Sequence, residues 1–214
     1  MKRSPTTVQH SRIVILANGE KPTHSIPLNI LKNAEKLICC DGAISFLEEQ
    51  NIIPHIILGD CDSITAEQKE QYKSIICKDD SRAYNDLQKA LKYCIENGWK
   101  DVVILGATGW REDHFLANIG ILMHYAEALS LTMVTNYGIF TPIHCTTTFE
   151  SYARQQVSVF SFTPEMEITF QGLKYAVDRQ KFKELWEGSL NEAVGQGFTV
   201  ELGGRGAVLV YRVF

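Results

Sequence analysis

Residues 87–105, LQKALKYCIENGWKDVVIL, join two periodicities that together decide the fold. Apolar side chains in the first part recur at the i, i+3, i+4, i+7 and i+8 spacing of an amphipathic helix, on Leu87, Ala90, Leu91, Cys94 and Ile95. Asn97-Gly98 ends this predicted helix, and the apolar run 101–105 that follows is typical of a buried strand. A helix that leads directly into a buried strand is half of a βαβ unit, which predicts a parallel sheet.

The same alternation extends over roughly the first 130 residues and then stops. Other short runs rich in Val and Ile are Arg12–Ala17, Lys36–Cys40, His55–Leu58 and Ser74–Cys77, and a second helical stripe runs from about 113 to 128. From about Leu131 the runs are rich in Thr and aromatic residues and separated by Gly and Pro, at Thr132–Thr135, Val157–Phe162, Ile168–Phe170, Phe198–Leu202 and Ala207–Phe214. Such runs are typical of an antiparallel sheet or sandwich. The predicted fold class is α/β: an N-terminal parallel-sheet α/β domain over 1–140, followed by a smaller all-β sandwich domain over 141–214.

Composition excludes several classes of protein. With 214 residues, 45% hydrophobic and 21% charged, the chain suits a soluble globular protein. Its net charge of −4 provides no positive field for nucleic acid, and its apolar runs are too short to cross a membrane. The N-terminal stretch 1–8 has no apolar segment of the kind that a secretory signal needs. Six cysteines without C-x-x-C or zinc spacing suggest reduced thiols, and we therefore expect a cytoplasmic protein.

Each predicted strand of the N-terminal half is followed by Gly, Asp or Asn. The exits are Ala17-Asn18-Gly19, Asp41-Gly42-Ala43, Gly59-Asp60-Cys61-Asp62-Ser63, Asp79-Asp80 with Asn85-Asp86, and Gly106-Ala107-Thr108-Gly109 with Arg111 and Asp113. One interpretation is local, because these residue types cap helices and form turns. The other is a binding site, because open parallel sheets bind ligands at the carboxyl ends of their strands. Carboxylates gathered there would repel one another unless a divalent cation joined them, and oxygen-only ligands favour Mg2+.

The exit of the fifth strand adds features that suit phosphate. Small residues over 106–109 let backbone N–H groups approach an anion at the start of the next helix. Arg111 is able to bind phosphate with two parallel hydrogen bonds. The common phosphate motifs G-x-x-x-x-G-K-[ST] and G-x-G-x-x-G after a strand are absent, as is the nucleophile motif G-x-S-x-G. The residues together predict a site for Mg2+ and a nucleotide.

Five short segments carry a resemblance to one known family, in that family's order. They are Cys40-Asp41-Gly42-Ala43, Gly59-Asp60-Cys61-Asp62-Ser63-Ile64, Asn85-Asp86-Leu87-Gln88-Lys89-Ala90-Leu91, the loop 106–114, GATGWREDH, and Gly172-Leu173-Lys174-Tyr175. In these segments the chain resembles the thiamin pyrophosphokinase family, and the resemblance covers most of its length. The resemblance implies an α/β catalytic domain, a C-terminal β-sandwich, and a homodimer with the thiamin site at its interface. It also implies that ATP and thiamin react to give AMP and thiamin diphosphate.

The resemblance also implies roles for individual residues. Asp60, Asp62 and Asp86 match carboxylates of the Mg2+ and phosphate site, Asp113 matches an acidic substrate contact and Arg111 a phosphate contact. Nucleotide contacts are expected from Asn18, Asp41, Gly42, Gly106, Thr108 and Gly109, and thiamin contacts from Tyr175, Trp186, Ser189 and Asn191. Any one of Asp60, Asp62, Asp86 and Asp113 is a candidate to accept the proton of the thiamin hydroxyl.

The chain departs from the family's pattern at four positions. Arg82 stands where the family often has Gln, Trp110 replaces the second Gly of its G-G-R segment, Tyr175 stands where Trp is common, and Leu190 takes the place of a hydroxyl. None of these changes removes a metal-site carboxylate. Two alternatives therefore remain: a thiamin- or nucleotide-binding sensor that lost catalysis, and a related phosphotransferase that acts on another alcohol.

Overall fold

The computed structural model describes residues 13–214, which divide into two compact units after residue 136. Residues 1–12 lie outside the described part, and with them the N-terminal stretch expected not to be a secretory signal and the first residue of the strand predicted over 12–17. Within the described residues, no helix has both the length and the apolar character needed to cross a membrane.

The first unit is a parallel sheet with helices between its strands. Its described strands are β1 Ile13–Leu16, β2 Lys36–Cys40, β3 Ile56–Gly59, β4 Ile76–Lys78, β5 Asp101–Leu105 and β6 Ser130–Val134. Its helices are α1 Ser25–Lys32, α2 Ile44–Glu49, α3 Ala66–Gln71, α4 Asp86–Glu96 and α5 Glu112–Tyr125, with a short 3-10 turn at Asp41–Ala43. The strands lie in the order β4-β3-β2-β1-β5-β6, and every neighbouring pair is parallel. The chain runs outward from β1 in one direction to β4 and then from β5 in the other, so the strand order reverses between β1 and β5.

Sequence patterns locate most of this sheet correctly, with one error. β2 and β5 have the predicted bounds, and α4 ends at Glu96 with Asn97 as its C-cap, as its pattern indicates. The interpretation of the run 132–135 as part of an antiparallel sheet is wrong, because β6 pairs parallel with β5, with Thr132 beside Val103. Ser130 is exposed and Thr132 half-buried in β6, so polar and apolar residues alternate in this parallel strand as they commonly do in an antiparallel one.

The second unit is an antiparallel β-sandwich, which confirms the predicted fold class. Its strands are β7 Gly138–Ile143, β8 Thr147–Glu150, β9 Gln156–Ser161, β10 Glu167–Gln171, β11 Gln180–Lys181, β12 Gly188–Glu192, β13 Gly197–Leu202 and β14 Val208–Val213. One layer has the order β12-β9-β14-β7 and the other β11-β10-β13-β8. The core between the layers is apolar, and the stacked rings of Phe149 and Phe198 lie 5.1 Å apart. β7 begins at Gly138, close to the division predicted after residue 140.

All six cysteines carry free thiols. Four of them are buried, whereas Cys77 is half-buried and Cys145 exposed. The burial of Cys39 and Cys40 in β2 follows from their place in an apolar strand at the middle of the sheet.

Candidate active site

The carboxyl ends of the parallel strands open into a cavity of about 410 Å³ in the first unit. It lies where the strand order reverses, which is the position at which open α/β sheets bind ligands. Nine of the residues predicted for the site line it: Asn18, Asp41, Asp60, Asp62, Asp86, Gly106, Thr108, Gly109 and Arg111. Gly42 lies behind Asn18, so close that a side chain at Gly42 would collide with the Asn18 amide. Asp113 does not line the cavity itself but accepts hydrogen bonds from Arg111, which does.

Three carboxylates form a cluster on one side of the cavity. Asp41, Asp60 and Asp62 each place an oxygen within 4.8 Å of the other two. Hydrogen bonds fix the loop that carries them: the Ser63 N–H donates to Asp41 Oδ2 at 3.2 Å, and the Asp62 N–H donates to Asp60 Oδ1 at 3.2 Å. Asp60 and Asp62 are exposed, whereas Asp41 is 4% exposed.

The buried Asp41 carboxylate is only half satisfied. Its Oδ1 atom has no hydrogen-bond partner among the described residues, although a buried oxygen without a partner is costly. Burial raises the pKa of Asp41, and the negative charges of Asp86 and Asp60 raise it further. The hydrogen bonds from Ser63 lower this pKa, each by less than burial raises it. An Mg2+ ion, which prefers carboxylate oxygens, would bind this oxygen together with those of Asp60 and Asp62. The residues present therefore fit the metal that the sequence predicts.

The raised pKa of Asp41 predicts how stability depends on pH. Because the folded-state pKa lies above the ordinary value of 3.8, ionised Asp41 destabilises the metal-free fold at neutral pH, and protonation relieves this as the pH falls. We expect Asp41→Asn to raise the urea midpoint in EDTA at pH 7, and the gain to shrink steadily toward pH 4. A gain that does not change with pH would contradict this prediction.

Asp86 enters the cavity from the first turn of α4. The Asn85 side chain accepts the Gln88 N–H at 2.9 Å and the Gln88 side chain accepts the Asn85 N–H, which fixes the start of the helix. Gly59 makes room for the acid, because a Cβ there would lie 3.3 Å from the Asp86 carboxylate and 2.9 Å from the Asp41 Cβ.

A buried lysine pairs with Asp86. Lys89 Nζ lies 3.1 Å from Asp86 Oδ1 and donates to the Asp79 carbonyl at 2.8 Å, and its side chain is 4% exposed. Burial raises the pKa of Asp86, and the contact with Lys89 opposes that rise. Sequence reasoning assigned no role to Lys89, although its i, i+3 spacing from Asp86 is one at which a helix pairs opposite charges. Asp86 as a metal ligand stays a prediction.

The loop after β5 forms the other side of the cavity. Backbone hydrogen bonds from Gly19 to Gly106 and from Glu20 to Thr108, both 2.7 Å, hold it against the loop after β1. Gly106 has a φ of +66°, a conformation that glycine adopts easily. Arg111 donates to Asp113 from Nε at 3.0 Å and from Nη2 at 2.6 Å, and this hydrogen bonding lowers the pKa of Asp113.

The predicted thiamin contacts lie in the second unit and differ in exposure. Tyr175 and Trp186 are 60% and 64% exposed, and Ser189 is half-buried. Asn191 is buried, and its amide bonds to the backbone: it accepts the N–H of Tyr175 at 3.0 Å and of Glu192 at 2.8 Å, and donates to the Tyr175 carbonyl at 2.8 Å. This geometry makes Asn191 a support for the backbone of Tyr175. A direct contact of any of the four with substrate stays a prediction.

Replacing Asn191 is expected to affect stability. Asn191→Leu leaves the N–H and C=O of Tyr175 without their partner, which costs about 1–3 kcal/mol. Urea denaturation measures this loss, with Gln156→Leu as the control, because Gln156 is an exposed side chain near the same strand. We expect the control to stay within about 0.5 kcal/mol of the wild type. Equal effects of the two substitutions would contradict the support role.

The fold and the site define a class of two-part protein in which a parallel α/β unit with an acidic cavity precedes a β-sandwich. Residues 28–134 match the model of the thiamin pyrophosphokinase catalytic domain, and residues 138–211 match that of the thiamin pyrophosphokinase substrate-binding domain. The chain therefore belongs to the thiamin pyrophosphokinase family.

Relatives by sequence match only part of this chain. Thiamin pyrophosphokinase 1 of Caenorhabditis elegans is 27% identical over 132 residues, which are 57% of this chain and 54% of that protein. Thiamine pyrophosphokinase of Bacillus subtilis is 33% identical over 85 residues, 38% of this chain and 39% of that protein. The chain thus spans about half, or less, of the length of these relatives.

Solved structures share the fold over nearly the whole chain. The crystal structure of thiamine pyrophosphokinase from Bacillus subtilis has a TM-score of 0.80 at 22% identity and covers 94% of this chain and 98% of its own. Thiamin pyrophosphokinase from Candida albicans has a TM-score of 0.79 at 19% identity and covers 96% and 91%. At these identities the likeness shows the fold.

Proposed function

We propose that this chain is a thiamin diphosphokinase, which transfers the pyrophosphoryl group of ATP to the hydroxyl of thiamin and forms thiamin diphosphate and AMP. The observation that carries the proposal is the cluster of Asp41, Asp60 and Asp62 at the strand ends, with its buried unpartnered oxygen. The family membership of both units and the names of the relatives support the same reaction.

The proposed metal is Mg2+, held by Asp60 and Asp62 together with Asp41 or Asp86. When bound, it would neutralise charge on the phosphates of ATP and polarise the phosphorus that is attacked. The residues of the chain would contribute mainly by holding the reacting groups of ATP and thiamin in position. The loop 106–109 and Arg111 line the same cavity, where backbone N–H groups and a guanidinium would be able to hold phosphate oxygens.

The thiamin hydroxyl must lose a proton as it attacks the β-phosphorus. Among the four candidate carboxylates, Asp113 is poorly suited as the acceptor, because its hydrogen bonds with Arg111 lower its pKa. Burial raises the pKa of Asp86, which makes it a better proton acceptor. Thiamin is an aromatic cation, and the exposed rings of Tyr175 and Trp186 are of a kind that binds such cations.

The proposal includes a cytoplasmic homodimer with thiamin bound at its interface, as the family resemblance implies. Sedimentation equilibrium of the purified chain tests the dimer, and a sedimenting mass equal to that of one chain would contradict it. Fractionation of cells that express the chain with a C-terminal tag tests the location.

The reaction is tested by incubating the protein with Mg·ATP and thiamin and separating the products by chromatography. Equal amounts of AMP and thiamin diphosphate support the proposal. Formation of ADP and thiamin monophosphate would contradict attack at the β-phosphorus. Saturable binding of thiamin without turnover would favour the sensor, and turnover with only another alcohol would favour the related phosphotransferase.

A further inference from the structure

Trp110 has an unusual backbone and an unusual exposure for its residue type. Its φ is +61°, and the Gly109 carbonyl accepts the Arg111 N–H at 2.8 Å, so that Trp110 is the middle residue of a three-residue turn. Turns of this hand are rare and strained, and a bulky side chain makes the positive φ less favourable still. The same residue is 71% exposed, which leaves a large aromatic ring in water.

Neither property helps the chain to fold. A glycine would adopt this φ without strain and would expose no ring. Strained residues persist where a function requires them, and the inference runs from the observed outlier to that function. Trp110 also lines the cavity that forms the proposed nucleotide site, while most of its side chain stays exposed.

The position of Trp110 within the cavity indicates what its ring binds. The carboxylates of Asp41, Asp60 and Asp62 come from the exits of β2 and β3, and phosphates that share a metal ion would lie beside them. Trp110 belongs to the loop after β5, where the neighbouring wall includes His114 and Asn118 and has no carboxylate of that cluster. With its outer phosphates at these carboxylates and its inner phosphate along the loop 106–109 and Arg111, a nucleotide would place its flat, uncharged base at the exposed end of this loop, where Trp110 stands.

We propose that Trp110 stacks on the base of the nucleotide substrate and is a determinant of nucleotide affinity in this chain. The inference rests on the proposed function, because it requires a nucleotide in the cavity. Stacking on an aromatic side chain depends little on which base is bound, since every base has a flat face. We therefore expect Trp110 to favour nucleotides over inorganic polyphosphates without choosing strongly between adenine and guanine.

Two ligands that differ by the nucleoside test the proposal. Mg·ATP and Mg·tripolyphosphate are titrated calorimetrically into the wild type and into Trp110→Gly, Trp110→Phe and Leu116→Ala, without thiamin. Leu116 is the matched control, because it is also 71% exposed and lies six residues further along without lining the cavity. Trp110→Gly is expected to weaken ATP binding about 10-fold or more and to leave tripolyphosphate binding within about 2-fold of wild type. Trp110→Phe should retain most of the affinity for ATP, and Leu116→Ala all of it.

A stability measurement separates stacking from a structural role. Because glycine relieves the strained φ, Trp110→Gly should not lower the urea midpoint, whereas loss of a structural contact would lower it. Quenching of tryptophan fluorescence by Mg·ATP, but not by Mg·tripolyphosphate, is expected in the wild type and not in Trp110→Gly.

Each contrary result overturns the inference in a different way. An equal loss of affinity for Mg·ATP and Mg·tripolyphosphate in Trp110→Gly would mean that Trp110 shapes the phosphate-binding loop and does not stack on the base. Unchanged ATP binding with a raised KM for thiamin would assign the ring to thiamin, and unchanged binding with altered sedimentation would assign it to contacts between copies of the chain. Failure of both ligands to bind the wild type would overturn the nucleotide site itself, and with it the proposed function.

Discussion

Asp62→Asn is expected to lower the rate of thiamin diphosphate formation by about 10³-fold and to leave the fold intact. The loss follows from removing one charge of the carboxylate cluster, because a bound metal contributes several kcal/mol to stabilising charge during phosphoryl transfer. Asparagine has nearly the same shape, and its side-chain oxygen is able to accept the Ser63 hydroxyl that Asp62 accepts at 3.0 Å.

Rates at saturating Mg·ATP and thiamin measure this effect, and circular dichroism with urea denaturation monitors the fold. Asp80→Asn is the matched control, since Asp80 is an exposed acid that pairs with Lys78 and does not line the cavity. Binding of Mn2+ in the absence of ATP gives a readout independent of turnover and should weaken in Asp62→Asn alone. Near-normal turnover in a folded Asp62→Asn protein would refute the metal role of this residue.

Lys89→Met is expected to lower the free energy of unfolding by about 3 kcal/mol, the low end for breaking a buried ion pair. The methionine removes the hydrogen bond to the Asp79 carbonyl and leaves the partly buried Asp86 carboxylate without its partner. Its hydrocarbon chain still fills the space of the lysine stem, so the loss reports on charge and hydrogen bonding more than on packing.

Urea denaturation at pH 7 measures the loss, and the exposed pair Glu70–Lys73 supplies the comparison. Lys73→Met breaks an ion pair at the same i, i+3 spacing in water and should cost less than about 0.5 kcal/mol. The double variant Asp86→Asn with Lys89→Met should regain part of the stability, because no charge is then left without a partner. If the two lysine variants lose the same stability, or the double variant regains none, the buried pair is not the source of the effect.

The sequence predicts those parts of the fold and site that depend on local pattern. Parallel strands buried on both faces are apolar runs, which is why β2 and β5 have their predicted bounds. The gathering of Asp41, Asp60 and Asp62 follows from the rule that strand ends meet at one edge of a sheet. The direction of β6 was predicted wrongly, because composition reports the exposure of a strand and not the direction of its partner.

Other features depend on packing that a sequence does not reveal. The pairing of Asp86 with Lys89 and the unpartnered oxygen of Asp41 arise from which atoms lose contact with water in the folded chain. The positive φ of Trp110 runs against the preference of its residue type. Asn191 is predicted from its motif as a substrate contact, but only the structure shows that its amide is occupied by the backbone of Tyr175.

The insertion of β5 beside β1 bears on the order in which the molecule assembles. Ile13 pairs with Val102, so the centre of the sheet closes through one of the most distant contacts of the first unit. Contacts of this kind form slowly, since a long loop must close before they stabilise the chain. The pairing of β2 with β3 brings Asp41 and Asp60 together through segments that are neighbours in sequence. The glycine loop after β5 reaches these acids only when β5 pairs with β1. We therefore expect a chain emerging from the ribosome to form the proposed cation site before the proposed phosphate site.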